Sequence, residues 1–441
     1  MSEKLWIKNG EVYTGGEEAR VFRGGLLCAN GTIEALGSDA ELEPRARGAE
    51  VIDAGGRIVS PGFINAHMHL YSMLSRGMAL KDAPPADFVQ ILERLWWRLD
   101  KVLTLDDLVP SAELPLADAL TAGVTTVIDH HASPGAVEGS LDVLADAAAR
   151  AGVRFSTCYE VSDRDGEQVM RAGIAENVRF AGRASGDPML AATFGLHAQF
   201  TLSDASLEAC ARAARDASIP FHVHVAEAAS DAADARARGF EGALDRLHAL
   251  GCMSPGSLAI HCVHTVESEW SQLRAADAFA VHNPQSNMNN AVGAAAVDRM
   301  LAAGVAVGIG TDGMQADVRQ DLRAAFLLGH HRTADPRTMW GETAGLLETN
   351  RAIASRLFGL RLGELAPGAA ADVVVFDAYA PTPFAPENYL GHLLFGLYQA
   401  RAHSAVVGGR VRLRAGELLG IDAERAAARA RELAPALWKR F

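Results

Sequence analysis

From about residue 56 to residue 330 the chain alternates short β-rich runs with longer amphipathic stretches, and it does so eight times. The runs are Ile58–His67, Val124–Asp129, Val153–Tyr159, Leu190–His197, Phe221–Val225, Leu258–Val263, Phe279–Asn283 and Val305–Thr311. Helical patterns lie between them, such as Leu207–Ala217 with Ser203 as its cap and Ala296–Ala303. Eight regular β/α units predict an α/β fold, a (β/α)₈ TIM barrel. A doubly wound open sheet uses the same alternation, but eight regular units favour closure.

The flanks have a different pattern. Leu26-Leu-Cys-Ala-Asn-Gly-Thr-Ile33 carries an Asn-Gly dipeptide between apolar runs, a strong hairpin signal. Asp372-Val-Val-Val-Phe376 and Ala405-Val-Val-Gly-Gly-Arg-Val-Arg-Leu413 predict a strand and a second hairpin. Neither flank alone has enough strands to bury a face. Residues 1–57 and 362–415 are therefore expected to form one small β-sandwich domain built from both chain ends. The barrel would then occupy 58–361, and 416–441 would be a C-terminal helical tail.

Composition narrows the function. Hydrophobic residues are 49% and charged residues 22% of 441, ordinary values for a globular enzyme with a sizeable core. A net charge of −13 with no Lys/Arg cluster argues against a phosphate-backbone partner, so no nucleic acid is expected. No apolar run reaches the ~18 residues that span a bilayer, and Met1-Ser-Glu-Lys-Leu-Trp-Ile-Lys8 lacks a secretory segment. The expectation is a cytoplasmic protein with no membrane partner. The 5 cysteines are scattered without C-x-x-C pairing, so neither a disulfide framework nor a cysteine zinc site is indicated.

Barrel chemistry sits at the C-terminal ends of the strands, and that is where the metal-type side chains fall. His67 and His69 end the first run; two apart on a strand, they face one side. The fifth run brings His222, His224 and Glu227, and the sixth ends at His261 with His264 just beyond. The seventh ends in His282-Asn283, and Gly308-Ile-Gly-Thr-Asp-Gly313 places Asp312 on a glycine-flanked turn. Three imidazoles and a carboxylate with room for water make the open site of a catalytic zinc or iron centre. A purely structural reading needs each polar group satisfied for an unrelated reason. His222 shares the inward face of His224 but lies deeper, where a hydrogen-bonded core histidine is the natural role; His264 is a ligand by type, yet His261 is nearer the strand end. The lysines are Lys4, Lys8, Lys81, Lys101 and Lys439, so the second to eighth strands offer no carbamylated lysine to bridge two metals. One metal ion is expected.

Four motifs resemble the amidohydrolase superfamily, in its branch of cytosine/guanine deaminases and triazine chlorohydrolases: Pro61-Gly-Phe-Ile-Asn-Ala-His-Met-His69, His224-Val-Ala-Glu227, His282-Asn-Pro-Gln-Ser-Asn287 and Gly310-Thr-Asp-Gly313. Leu95-Trp-Trp-Arg-Leu-Asp100, Asp129-His-His-Ala-Ser-Pro134 and Ser286-Asn-Met-Asn-Asn290 bring it closer to the aminohydrolases called SsnA. The resemblance implies that His67, His69, His224 and Asp312 bind the metal and that Glu227 carries protons. It also implies that His261 contacts the activated water or substrate and that His197 faces substrate. Gln199-Phe200 departs from the Pro-Tyr or Pro-Phe of many relatives, which changes the local pocket shape.

The resulting expectation is one divalent metal ion per chain, zinc ahead of iron, with Glu227, His261 and Asp312 as the catalytic set. The reaction would be hydrolytic deamination of an amino-substituted nitrogen heterocycle: a purine, pterin, pyrimidine or triazine-like small molecule. The rivals are a chlorohydrolase or cyclic C–N bond hydrolase on the same site, and a non-catalytic barrel acting as a binding partner. Against the last stands the complete ligand set with Glu227. Candidates for the substrate pocket are Arg76, His130, His131, His197, Gln199, Asn283 and Asn287, while Trp96-Trp97 is expected to pack in a helix over about 86–100. A homo-oligomer, a dimer, is the expected assembly.

Overall fold

The computed structural model describes residues 4–441; the first three residues of the predicted 1–57 segment lie outside them. Eight barrel strands follow in order: Phe63–Met68, Val124–Asp129, Arg154–Thr157, Leu190–Ala192 continued by Phe194–Ala198, Phe221–Val225, Leu258–His261, Phe279–His282 and Val307–Ile309. Neighbours pair in parallel throughout. The strands are buried along almost their whole length, as a parallel sheet covered by helices requires.

The strands form two arcs, from Phe63–Met68 to Leu190–Ala192 and from Phe194–Ala198 to Val307–Ile309. Isolated parallel bridges join them, Val161 to Leu196 at one seam and Met68 to Asp312 at the other. At the second seam the amides of Thr311 and Asp312 both donate to the His67 carbonyl, at 2.9 and 3.0 Å. The barrel thus closes at the strand ends that carry the histidines and Asp312.

The predicted first strand, Ile58–His67, divides in two. Ile58–Pro61 pairs with Lys4–Tyr13 and Val373–Phe376, while Phe63–Met68 opens the barrel. The break falls at Gly62, where a Cβ would lie 2.1 Å from Thr125 Oγ1, so the two strands approach too closely for any side chain.

The second sheet has nine strands drawn from Lys4–Pro61 and Val373–Leu418. It curls so that its edge strand Thr32–Gly37 reaches the segment leading into Val373–Phe376, with the Ile33 amide donating to Ala369 and the Ala371 amide to Gly31, both at 2.9 Å. Leu5, Ile7, Leu26, Ile33, Val59, Val375 and Val406 fill the space enclosed. The two layers of the expected sandwich are therefore halves of one folded sheet. A buried ion pair fastens it to the barrel: Arg154, at the start of the third strand, donates twice to Asp372 at 3.0 Å. The terminal helix Ala423–Arg440 packs on Leu105–Thr121, and Trp438 Nε1 donates to the Leu74 carbonyl at 2.8 Å, tying down the turn after the first strand. No helix among the described residues is long and apolar enough to cross a membrane.

Asn350, in the helix Trp340–Phe358, holds the seam between the first and eighth strands. It accepts from the Ile309 amide at 2.7 Å and donates to the Ile64 and Ile309 carbonyls, each at 2.8 Å. Asn350→Leu fills the same space but leaves those three backbone groups without partners, at about 1–3 kcal/mol each. The variant should lose about 3 kcal/mol or more in urea unfolding. A loss below about 0.5 kcal/mol would show that the seam does not depend on this side chain.

Candidate metal centre and active site

His69 Nδ1 donates to the His130 carbonyl at 2.6 Å, and His224 Nδ1 donates to the His197 carbonyl at 2.7 Å. A carbonyl can only accept, so each Nδ1 must carry the proton and each neutral ring must present a bare Nε2 lone pair. These two Nε2 atoms face each other at 3.2 Å. His67 Nδ1 is engaged with Nε2 of His222 at 2.8 Å, and its own buried Nε2 has no hydrogen-bond partner. Asp312 Oδ1 stands 3.2 Å from His69 Nε2 and 3.9 Å from His67 Nε2.

Four donors around one tetrahedral zinc at 2.0–2.1 Å must lie ~3.3 Å apart. Three of the six separations are seen directly, 3.2, 3.2 and 3.9 Å, and lie near that value, with His67, His69 and Asp312 all within 4.8 Å of one another. Electrostatics agree, because burial and the neighbouring imidazoles push His67 and His224 well below the usual histidine range. His69 moves the other way: burial lowers it, but Asp312, 3.2 Å away, outweighs burial and lifts it to about 9, so positive charge is favoured beside this carboxylate. The chemistry of this donor set is that of a divalent ion site.

Glu227 and His261 border the same point. His261 Nδ1 donates to Asn287 Oδ1 at 2.8 Å, which turns Nε2 toward Glu227 Oε2 at 3.4 Å and Asp312 Oδ2 at 3.7 Å. Asn290 donates to Glu227 Oε1 at 3.1 Å, and Ser286 donates to Asp312 Oδ2 at 2.5 Å. Burial pushes the Glu227 carboxyl upward while His261 restrains it, so it can carry a proton closer to neutrality than a free glutamate. The backbone bends sharply at these strand ends: Ala226, His261, Cys262 and Asp312 all have φ between +47° and +72°. Such residues cost about 1–3 kcal/mol each and persist where the surroundings over-determine them.

The centre opens into a cavity of about 410 Å³. Among the expected pocket residues, His197 lines it and Arg76 stands exposed at its rim. Five others are turned elsewhere. His130 Nε2 donates to the Leu196 and His222 carbonyls at 3.2 and 3.1 Å, inside the barrel. His131 is buried against Ser133 at 2.8 Å. Gln199 is spent on Asp231 at 2.7 Å and Arg246 at 2.6 Å. Asn283 fits beneath Gly310, where a Cβ would come within 2.6 Å of its Oδ1. Asn287 acts on His261 instead of reaching the cavity. His264 also points away, its Nε2 donating to the Val292 carbonyl at 2.7 Å.

Other residues take the vacated places. Trp96, Trp97, Asp100 and Glu160 line the cavity together with Phe88, Leu92 and Phe200. The sequence reading does not single out Glu160, although a carboxylate just past the third strand is where barrel chemistry is found. Trp96 and Trp97 reach the cavity because the helical segment over 88–102 widens into a π-type turn at Leu92–Trp96.

The sequence profile of the Amidohydrolase family matches residues 58–411. A 5-methylthioadenosine/S-adenosylhomocysteine deaminase of Desulforudis audaxviator (strain MP104C) is 32% identical over 413 residues, which cover 91% of this chain and 92% of that protein. Among solved structures, a zinc-bound adenosine deaminase from Xanthomonas campestris superposes with a TM-score of 0.84 at 24% identity, covering 99% of this chain and 98% of that one. The zinc complex of atrazine chlorohydrolase TrzN from Arthrobacter aurescens TC1 gives 0.81 at 24% identity, covering 98% and 100%. At that identity both show the shared fold. The match across the barrel and the deaminase relative together establish that this chain belongs to the amidohydrolase family.

Proposed function

We propose that the chain is a mononuclear metal-dependent hydrolase that deaminates amino-substituted nitrogen heterocycles, a reading in line with the name of its deaminase relative. The observation that carries it is the convergence of His224 Nε2 and Asp312 Oδ1 on His69 Nε2, each at 3.2 Å, around a point where positive charge is favoured. His67, His69 and His224 through Nε2, and Asp312 through Oδ1, would hold one zinc ion, with iron the second choice. Such an ion supplies Lewis acidity and lowers the pKa of water from ~15.7 toward ~7.

The chain's own groups do the rest. Asp312 Oδ2, oriented by Ser286, receives a proton as water adds to the ring carbon bearing the amino group. His261 Nε2, oriented by Asn287, holds the developing oxygen or the ring edge. Glu227 Oε2 delivers a proton to the amino group, because that group leaves as ammonia and not as amide anion. Its raised carboxyl suits this transfer, and Asn290 keeps Oε1 fixed. Trp96, Trp97 and Phe200 offer flat apolar walls to an aromatic ring.

Two measurements check this reading. Ammonia release from aminopurines, aminopyrimidines, pterins and aminotriazines should vanish when the protein is stripped with a chelator and return with zinc. Chloride release from chlorotriazines without ammonia from any amine would replace deamination by chlorohydrolysis. Glu227→Gln should keep fold and metal content but lower kcat by a factor on the order of 10² to 10⁴. A near-native kcat in that variant would remove Glu227 from the mechanism.

A further inference from the structure

Two carboxylates are buried on one side of the cavity. Glu160 and Asp100 both line it and are 6% and 1% exposed. One guanidinium serves both: Arg164 donates Nη2 to Glu160 Oε1 at 2.9 Å and Nη1 to Asp100 Oδ2 at 3.3 Å. Its Nε is spent on Ser162 Oγ at 2.9 Å, and its plane stacks over Trp97 at 5.0 Å. Lys101, the neighbouring cation, pairs with Asp165 instead. Among the described residues Asp100 Oδ1 has no hydrogen-bond partner. His130 Nδ1 and His197 Nε2 approach Glu160 only to 3.4 and 4.0 Å. Burial pushes Asp100 up to about 7, while His197, His130 and Arg164 together overcome burial and hold Glu160 well below the usual carboxylate range.

Buried acceptors without donors are costly, about 1–3 kcal/mol each and more when charged. Asp100 Oδ1 is such an acceptor, and Glu160 Oε2 has His130 Nδ1 only at 3.4 Å, so a ligand that brings donors to this side gains by meeting them. Glu160 stands one imidazole removed from His69 and His224, through His130, whose ring centroid lies 5.5 and 4.6 Å from theirs. The indole N–H of Trp97, likewise without a partner, offers a donor for a ring nitrogen or carbonyl beside the ligand's own donors.

We propose that Glu160, with Asp100 beside it, determines substrate specificity. The site selects flat heterocycles that present ring N–H or amino donors on the edge remote from the departing amine. This rests on the deaminase reading for which group departs. It also gives a role to Leu95-Trp-Trp-Arg-Leu-Asp100, whose Trp97 and Asp100 complete this wall.

The test is equilibrium binding by calorimetry to the zinc-loaded full chain, using two matched pairs: adenine with 9-methyladenine, and cytosine with 1-methylcytosine. Methylation removes the remote N–H. The parent of at least one pair should bind wild type about 10- to 100-fold more tightly than its methyl partner, the worth of a hydrogen bond to a charged acceptor. Glu160→Gln should shrink that ratio to about 3-fold or less with zinc content unchanged, whereas a steric effect of the methyl group would survive the substitution. Should Glu160→Gln lose its zinc, Asp100→Asn takes its place and should narrow the ratio in the same direction. A ratio that persists in the variant, methylated rings that bind wild type as well as their parents, or no binding by either pair would each overturn the proposal. Donor-selective binding without ammonia release would leave it standing and remove the deaminase reading; ammonia release without donor selectivity would do the reverse.

Discussion

The site depends on two main-chain carbonyls. By accepting the Nδ1 protons of His69 and His224, the carbonyls of His130 and His197 fix both tautomers and both ring planes, and the remaining lone pairs point at one another. Those carbonyls belong to the ends of neighbouring strands, so the barrel's own register sets the distance between the Nε2 atoms. Hydrogen bonds from ligand imidazoles to backbone also raise ligand basicity and hold orientation before any ion arrives. The two imidazoles of the candidate donor set are therefore held by the barrel's own backbone.

The strand ends bear the strain of this arrangement. His261 and Asp312 occupy the left-handed region, which turns both side chains over the mouth of the barrel. Asp312 can adopt that turn because its amide and that of Thr311 are anchored on the His67 carbonyl across the closing seam. Asn350, below, satisfies the backbone where the first and eighth strands diverge. Barrel closure and site geometry are thus one constraint: the groups that close the sheet also place Asp312 against His67 and His69.

The fold was legible in the sequence because it follows from periodicity, as did the placing of the candidate site's histidines at strand ends; their roles were read from the motif resemblance. Eight β/α units give the barrel, and two residues per strand repeat bring His67 and His69 to one face, with Met68 turned into the apolar core. Legibility failed where a side chain's role depends on what lies behind it. Gln199 occupies a pocket-like position in sequence, but Arg246 and Asp231 claim it from below. Asn283 and Asn287 sit in one motif, yet the first packs against Gly310 and His261 takes the second. Glu160 escaped notice because, although Arg164 is only four residues away, Asp100 and His130, which border it, come from distant segments that only the fold brings together. The break at Gly62 carried its own signal in the Pro61-Gly62 dipeptide, but the apolar residues on both sides read as one strand where one sheet hands over to the other.

The central claim is that one divalent ion sits between three Nε2 atoms and one carboxylate oxygen. X-ray absorption at the zinc edge, on protein whose metal content has been counted, addresses it directly. The account predicts close to one zinc per chain, a first shell of nitrogen and oxygen at about 2.0–2.1 Å with an imidazole signature, and no sulfur. A second metal at about 3.5–4 Å, or a sulfur shell near 2.3 Å, would contradict it.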